Sequence, residues 1–252
     1  MCSNFKSIPM IDVSPLLAKC DDPKMGEDGG VIEVVRQLNQ ACTQAGFFYV
    51  KGHGIPISIL QEVKEKTHKF FELPYEEKSK IKLNATAGYR GYQKVLENIT
   101  KGVPDMHEAI DCYRELKPGA YGEVGKILEG HNQWPLNPPN YKEMMEKYIN
   151  MCTDLSRNIM RGIALALGGS PYEFVGDRAG DPFWVVQSLV TEKPFRKWCK
   201  RHWMTNFHTA VEPLDICKQR NGKVNQADET KKVERAVYGE HLVGKVLTNF
   251  VF

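Results

Sequence analysis

The chain has 252 residues, 42% of them hydrophobic, enough for one large domain whose core needs no staples. Thirty-four basic residues against 31 acidic ones leave a formal charge of +3, too little to imply a nucleic-acid partner. Seven scattered cysteines, odd in number and without a C-x-x-C pair, argue for free thiols in a reducing compartment. No apolar run approaches the ~18 residues of a membrane span, and Met1 to Lys19 carries no signal pattern. A cytoplasmic protein with no membrane partner is therefore expected.

In chain order, Ile8 to Val13 reads as a short edge strand, because Pro9 cannot donate to a central ladder. Ser14-Pro15 then looks like a cap and first position of a short helix. Asp21 to Gly30 is polar and glycine-rich, as a surface loop is. From Val31 to Ala45 apolar residues recur at three-four spacing and predict an amphipathic helix, which Gly46 breaks. Phe47 to Val50 is an apolar run suited to a buried strand, and Gly52-His53-Gly54 allows a sharp reversal around one histidine.

Ser58 with Gln61 three positions later predicts a capping box. The helix behind it would bury Ile59, Leu60, Val63, Thr67, Phe70 and Phe71, leaving His68 at the surface. Ala87 to Tyr92 is glycine-punctuated, with Arg90 between aromatics. Pro104 to Tyr113 reads as a strand, where His107 and Glu108 would point to opposite faces and so could not share one ion. Asn132-Gln133-Trp134-Pro135 and Pro138-Pro139 form a stiff crossing. Tyr141 to Leu167 predicts a long amphipathic helix ended by Gly168-Gly169, followed by a second capping box, Ser170 to Glu173. Asp181 to Gln187 reads as a strand.

Several of these segments together resemble the plant-type iron(II)/2-oxoglutarate oxygenases, the isopenicillin N synthase-like family. Ala45 to Ile55, Asn132 to Pro135, Asp181 to Trp184, Ala210 to Leu214 and Val237 to Phe252 carry the likeness. The resemblance implies a mixed α/β fold: the N-terminal helices and strands of such an oxygenase with an incomplete double-stranded β-helix, or jelly roll. It divides the chain into an N-terminal oxygenase region (1–125), the long bracing helix with the first barrel strand (126–190), an atypical junction (191–205) and a C-terminal tail (206–252). It also puts Arg90 and Tyr92 on the substrate side, near the mouth of the active site.

The family's chemistry needs two imidazoles and a carboxylate around iron(II), with open positions for the keto acid and dioxygen. An R-x-S arginine grips the far carboxylate of 2-oxoglutarate. None of the seven histidines here has Asp or Glu two residues later, and no arginine has Ser or Thr there. The nearest imitation, His208-Thr209-Ala210, ends in alanine. No catalytic, cofactor or metal residue is therefore assigned. Full-length relatives are expected to oxidise a small organic molecule with iron(II) and 2-oxoglutarate, whereas this shortened chain is expected to bind neither and to be inactive. The alternative is a non-catalytic binding or interaction module.

Between the matching parts lies a basic stretch with Lys193, Arg196, Lys197, Lys200 and Arg201 interleaved with Trp198 and Trp203. It reads as a splice or gene-boundary junction, or as a patch for a membrane surface or a calmodulin-like partner. A full jelly roll needs on the order of 80–100 residues where this chain has about 16. The strand at Phe183 to Val186 is accordingly expected to lack partners, leaving a monomer or an aggregation-prone chain.

Overall fold

The computed structural model describes residues 7–100, 103–119, 122–174, 182–191 and 202–210. They form two compact units: the first holds 7–56, 151–174 and 182, and the second holds 57–100, 103–119, 122–150, 183–191 and 202–210.

In the first unit, strand β1 (Met10–Asp12) pairs in parallel with β2 (Tyr49–Lys51), Ile11 opposite Val50. Helix α1 (Ser14–Ala18) follows β1, and its cap is Val13 rather than Ser14. Ser14 instead donates through both its amide and its hydroxyl to Asp12 Oδ1, at 3.0 and 2.7 Å. Helix α2 (Gly29–Gln44) is capped by Asp28, whose side chain accepts from the amides of Gly30 and Val31. That cap supplies the orphan donors of the first turn with an acceptor.

The apolar stripe of α2 (Val31, Val34, Leu38, Ala41) is buried with Ile11, Val13, Leu16 and Met25. Leu155, Ile159 and Ile163 of helix α6 (Tyr141–Ala166) close the same core. Strand β2 starts two residues later than its sequence suggests. Gly46 has φ +82° and Phe47 is half exposed, so Phe47 leads into the strand instead of belonging to it.

The second unit is built on a four-stranded sheet in the order β3 (Gly91–Gln93), β6 (His107–Tyr113), β7 (Phe183–Thr191), β8 (His202–Ala210). All its pairings are antiparallel. A small hairpin of β4 (Ile99–Thr100) and β5 (Val103–Pro104) precedes β6. Helix α3 (Ile57–Phe71) buries Ile59, Val63, Thr67, Phe70 and Phe71 but leaves Leu60 exposed. It begins directly after Pro56, so Ser58 sits inside its first turn rather than capping it. Short helices α4 (Tyr75–Lys78) and α5 (Gly122–Gly125) complete the unit. Phe70 stacks edge-on against Phe71 and Tyr92 and tilts against Tyr141, the first residue of α6.

Two expectations change. β7 is not an unpaired edge: β6 lies on one side, with Asp111 opposite Gln187, and β8 on the other, with Gln187 opposite Asn206. The residues of β2 and β7 belong to two different sheets. Strand β8 also runs across the 205/206 division drawn from sequence. The second predicted capping box forms a turn, in which Glu173 donates to the carbonyl of Ser170. Asp181, most of the basic stretch and the tail beyond Ala210 lie outside the described residues.

Candidate functional site

The chemistry-bearing side chains of the second unit gather where β3, β6 and β7 run side by side. Gly91, at φ +119°, lets β3 pass close to its neighbours: a Cβ there would meet the Ile81 carbonyl at 2.3 Å. Arg90, just ahead of it, is fully buried. Its Nη1 donates to the carbonyl of Leu128 at 2.7 Å and its Nη2 to that of Arg114 at 2.8 Å, with longer bonds to Ala87 and Gly88. The guanidinium also lies 5.3 Å from the Tyr113 ring. Burial pulls the Arg90 value down from its ordinary one, with Tyr113 and Glu115 opposing. A planar five-donor fork suits this task, because it ties several turns together through their main-chain oxygens.

The Asn132 to Pro135 motif serves the same wall. Asn132 accepts from the Tyr113 amide at 2.9 Å and donates to the Tyr113 carbonyl at 2.8 Å, so its side chain continues the β6 ladder. Gln133 donates to the carbonyls of Lys82 and Arg90.

Tyr92 is also enclosed. Its hydroxyl donates to Glu108 Oε2 at 2.6 Å, and Lys78 Nζ reaches the same oxygen at 2.6 Å while also donating to the Phe71 carbonyl. The Tyr92 hydroxyl is driven well above its ordinary value, first by burial and then by its bond to Glu108. This is a closed ion pair with a third donor, the arrangement that lets charges sit in an interior. Arg90 and Tyr92 thus stand together on β3 and the turn before it, with their polar atoms engaged by the protein itself; of these, Arg90 Nε alone has no partner among the described residues.

A second buried carboxylate was not singled out in the sequence. Asp111, at the centre of β6, accepts from Gln93 Nε2 at 2.5 Å and from Gln187 Nε2 at 2.9 Å. Burial pushes its carboxyl up to about 7, with the Gln187 bond opposing. Only the register of three strands brings Gln93, Asp111 and Gln187 together, so no linear spacing could have announced them.

Among the described residues the histidines do not form a cluster. His53 Nδ1 accepts from the Ile55 amide at 3.1 Å, inside the turn that Gly52 and Gly54 permit with φ +65° and +72°. His68 pairs with Glu72 on the surface of α3, and exposed His131 pairs with Glu115. His202 and His208 both belong to β8. Six positions along a strand separate their backbones by roughly 20 Å, far beyond the reach of one ion. Among the described residues no group of three or more His, Cys, Asp or Glu side chains could hold a metal. The described residues thus bring together no set of two imidazoles and a carboxylate.

Comparison with known proteins supplies the context. Residues 8–137 match the family described as non-haem dioxygenase in morphine synthesis, N-terminal. The chain is 48% identical to homoarginine-6-hydroxylase 2-ODD-C23 of Glycine max, over 335 aligned positions covering 100% of this chain and 99% of that protein. It is 45% identical to homoarginine-6-hydroxylase 2-ODD-C23.1 of Arabidopsis thaliana, covering 99% of each. Since this chain has 252 residues, at least 83 of the 335 positions aligned with the soybean protein (335 less 252) have no counterpart here. Among solved structures, a 2OG-Fe(II) oxygenase family protein of Caulobacter crescentus shares the fold with a TM-score of 0.60 at 20% identity. That match covers 77% of this chain and 58% of the other, a share consistent with an incomplete jelly roll.

Proposed function

The chain belongs to the 2-oxoglutarate-dependent dioxygenase family, and from that premise we propose that it is a shortened, non-catalytic member which keeps the family's supporting wall without its iron centre. The single observation that carries this reading is the missing donor set. The described residues assemble no metal-holding group, while more than 80 positions of the soybean relative have no counterpart. We place the gap between β7 and β8, where the sequence offers ten residues, 192–201. Relatives named homoarginine-6-hydroxylases make a basic amino acid the natural substrate of a longer counterpart. In such a protein Arg90 and Tyr92 would serve the substrate side by positioning: they fix the turns and strands around it.

A reducing, cytoplasmic location goes with this reading and is supported by the free thiols of Cys20, Cys42 and Cys112 among the described residues. Among the described residues no helix is long and apolar enough to cross a membrane. The alternative is a non-catalytic binding or interaction module.

The test supplies the purified chain with iron(II), ascorbate and 2-oxoglutarate, with and without homoarginine, and follows succinate. The expected result is succinate at the level of the metal-free control. Succinate above that control, abolished by His208→Ala, would overturn the proposal.

A further inference from the structure

Strands β1 and β2 are parallel, and parallel sheets are ordinarily covered on both faces. The inner face of this pair is covered: Ile11 and, less completely, Val50 turn toward the core that α2 and α6 close. The outer face is open to solvent. It carries Met10 and Asp12 on β1 and Tyr49 and Lys51 on β2, all four exposed. Met10 is 62% accessible and Tyr49 56%, and Phe47, two positions before Tyr49, is 48% accessible. Large apolar side chains exposed singly are commonplace, whereas Met10 and Tyr49 are direct partners across the pair.

The register arranges this face in two rows. Met10 lies opposite Tyr49 in an apolar row, and Asp12 lies opposite Lys51 in a charged one. Two bonds from Ser14 hold the Asp12 carboxyl below its ordinary value, so the charged row carries one charge of each sign. Those charges cancel, which gives the face no preference for an anionic membrane or a nucleic acid. The surface it does match is its own. A second copy, turned over about an axis that runs along the strands and midway between them, keeps each row at its own height and exchanges the two strands. Met10 then meets Tyr49 of the second copy, Asp12 meets Lys51 of the second copy, and the reciprocal contacts follow from the symmetry. The match depends on Asp12 and Lys51 sharing a row, which the register sets.

We propose that the outer face of β1 and β2 is a docking surface for the same face of a second copy of this chain, giving a two-fold symmetric dimer. Stacked sheets pack about 10 Å apart and stay nearly aligned, so the apolar rows close on each other. Removal of Met10, Phe47 and Tyr49 from water drives the association, and the charged row fixes its direction. The patch is small, so the dimer is weak and exchanges with the monomer.

Sedimentation velocity of the 252-residue chain over a series of concentrations tests this directly. The expected result is a concentration-dependent equilibrium between monomer and dimer. Tyr49→Glu puts a charge in the apolar row and is expected to give a monomer throughout, with an unchanged melting curve. Lys51→Glu makes the charged row wholly acidic and Asp12→Lys makes it wholly basic, and each alone is expected to dimerise about tenfold more weakly. Mixed one to one, these two variants are expected to recover a dimer as tight as the parent's, because every acid then faces a base. Asp12 also accepts the bonds of Ser14, so the fold of Asp12→Lys is checked by its amide spectrum. If that variant fails to fold, Tyr49→Glu decides alone. A parent that stays monomeric, an assembly that survives Tyr49→Glu, or folded single variants that do not recover on mixing would each overturn the proposal. No arm involves iron or 2-oxoglutarate, so the dimer and the non-catalytic reading fail separately.

Discussion

Arg90 Nη1 donates to the carbonyl of Leu128, thirty-eight positions further along the chain, at 2.7 Å. The same guanidinium reaches the Arg114 carbonyl, so one side chain closes two loops through their main-chain oxygens. Replacing it with lysine keeps the charge and loses the fork. Arg90→Lys is therefore expected to cost about 2–3 kcal/mol in urea unfolding, since bonds to a charged donor are worth roughly 1.5–3 kcal/mol each and lysine would keep only some of them. A variant as stable as the parent would show that the guanidinium fork is dispensable.

The Lys78–Glu108 pair is expected to behave as a unit. Lys78→Met strands a buried carboxylate and should cost roughly 3–5 kcal/mol, as breaking one half of an interior ion pair does. Lys78→Met with Glu108→Gln removes both charges and should recover a large part of that loss. A double variant whose loss equals the sum of the two single losses would contradict the coupling.

Asp111 gives stability a pH dependence of a definite sign. Its carboxyl titrates near 7 when folded, well above its ordinary value of 3.8, so between those limits the folded state binds more protons than the unfolded one. This contribution favours the fold at the acid end and is lost as pH rises through about 7. Asp111→Asn removes the titration. The urea midpoint of the variant, relative to the parent, is expected to be higher at pH 8 than at pH 5, and a difference independent of pH would count against the assignment.

Gly91→Ala places a methyl group 2.3 Å from the Ile81 carbonyl and 2.7 Å from Gln133 Nε2, at a φ of +119° that L-residues rarely adopt. Backbone strain of this kind costs about 1–3 kcal/mol before any clash is counted. Thermal unfolding should therefore begin several degrees lower, and an unchanged melting curve would show that β3 can shift freely.

Periodicity made much of this fold legible. The stripes of α2, α3 and α6 emerge where three-four spacing puts them, and α6 ends one residue before its expected limit, with Gly168 at φ +80° just beyond. The Asp28 cap was readable too, because Asp-Gly-Gly stands directly before an apolar repeat, but the glycines drew the whole stretch into a loop. Pairing was less accessible. β6 and β7 are separated by about seventy residues that include α6, and nothing local says that Asp111 will face Gln187. β8 was hidden for another reason: it opens with His202-Trp203 directly after the basic, tryptophan-bearing stretch, and these residues become a strand by pairing with β7 over nine positions.

The core of the first unit has a consequence for the chain as it is being made. Phe48 and Val50 pack in the same cluster as Leu155, Ile159 and Ile163, which lie in the second half of α6. Until that part of α6 has left the ribosome, the apolar faces of β1, α1 and α2 have only one another for cover. At about 5–20 residues per second, the roughly one hundred intervening residues keep the half-built surface open for on the order of 5–20 s. That interval far exceeds the time a helix needs to form, so the newborn N-terminal segment presents a folded but incompletely covered face to whatever chaperone waits at the tunnel exit.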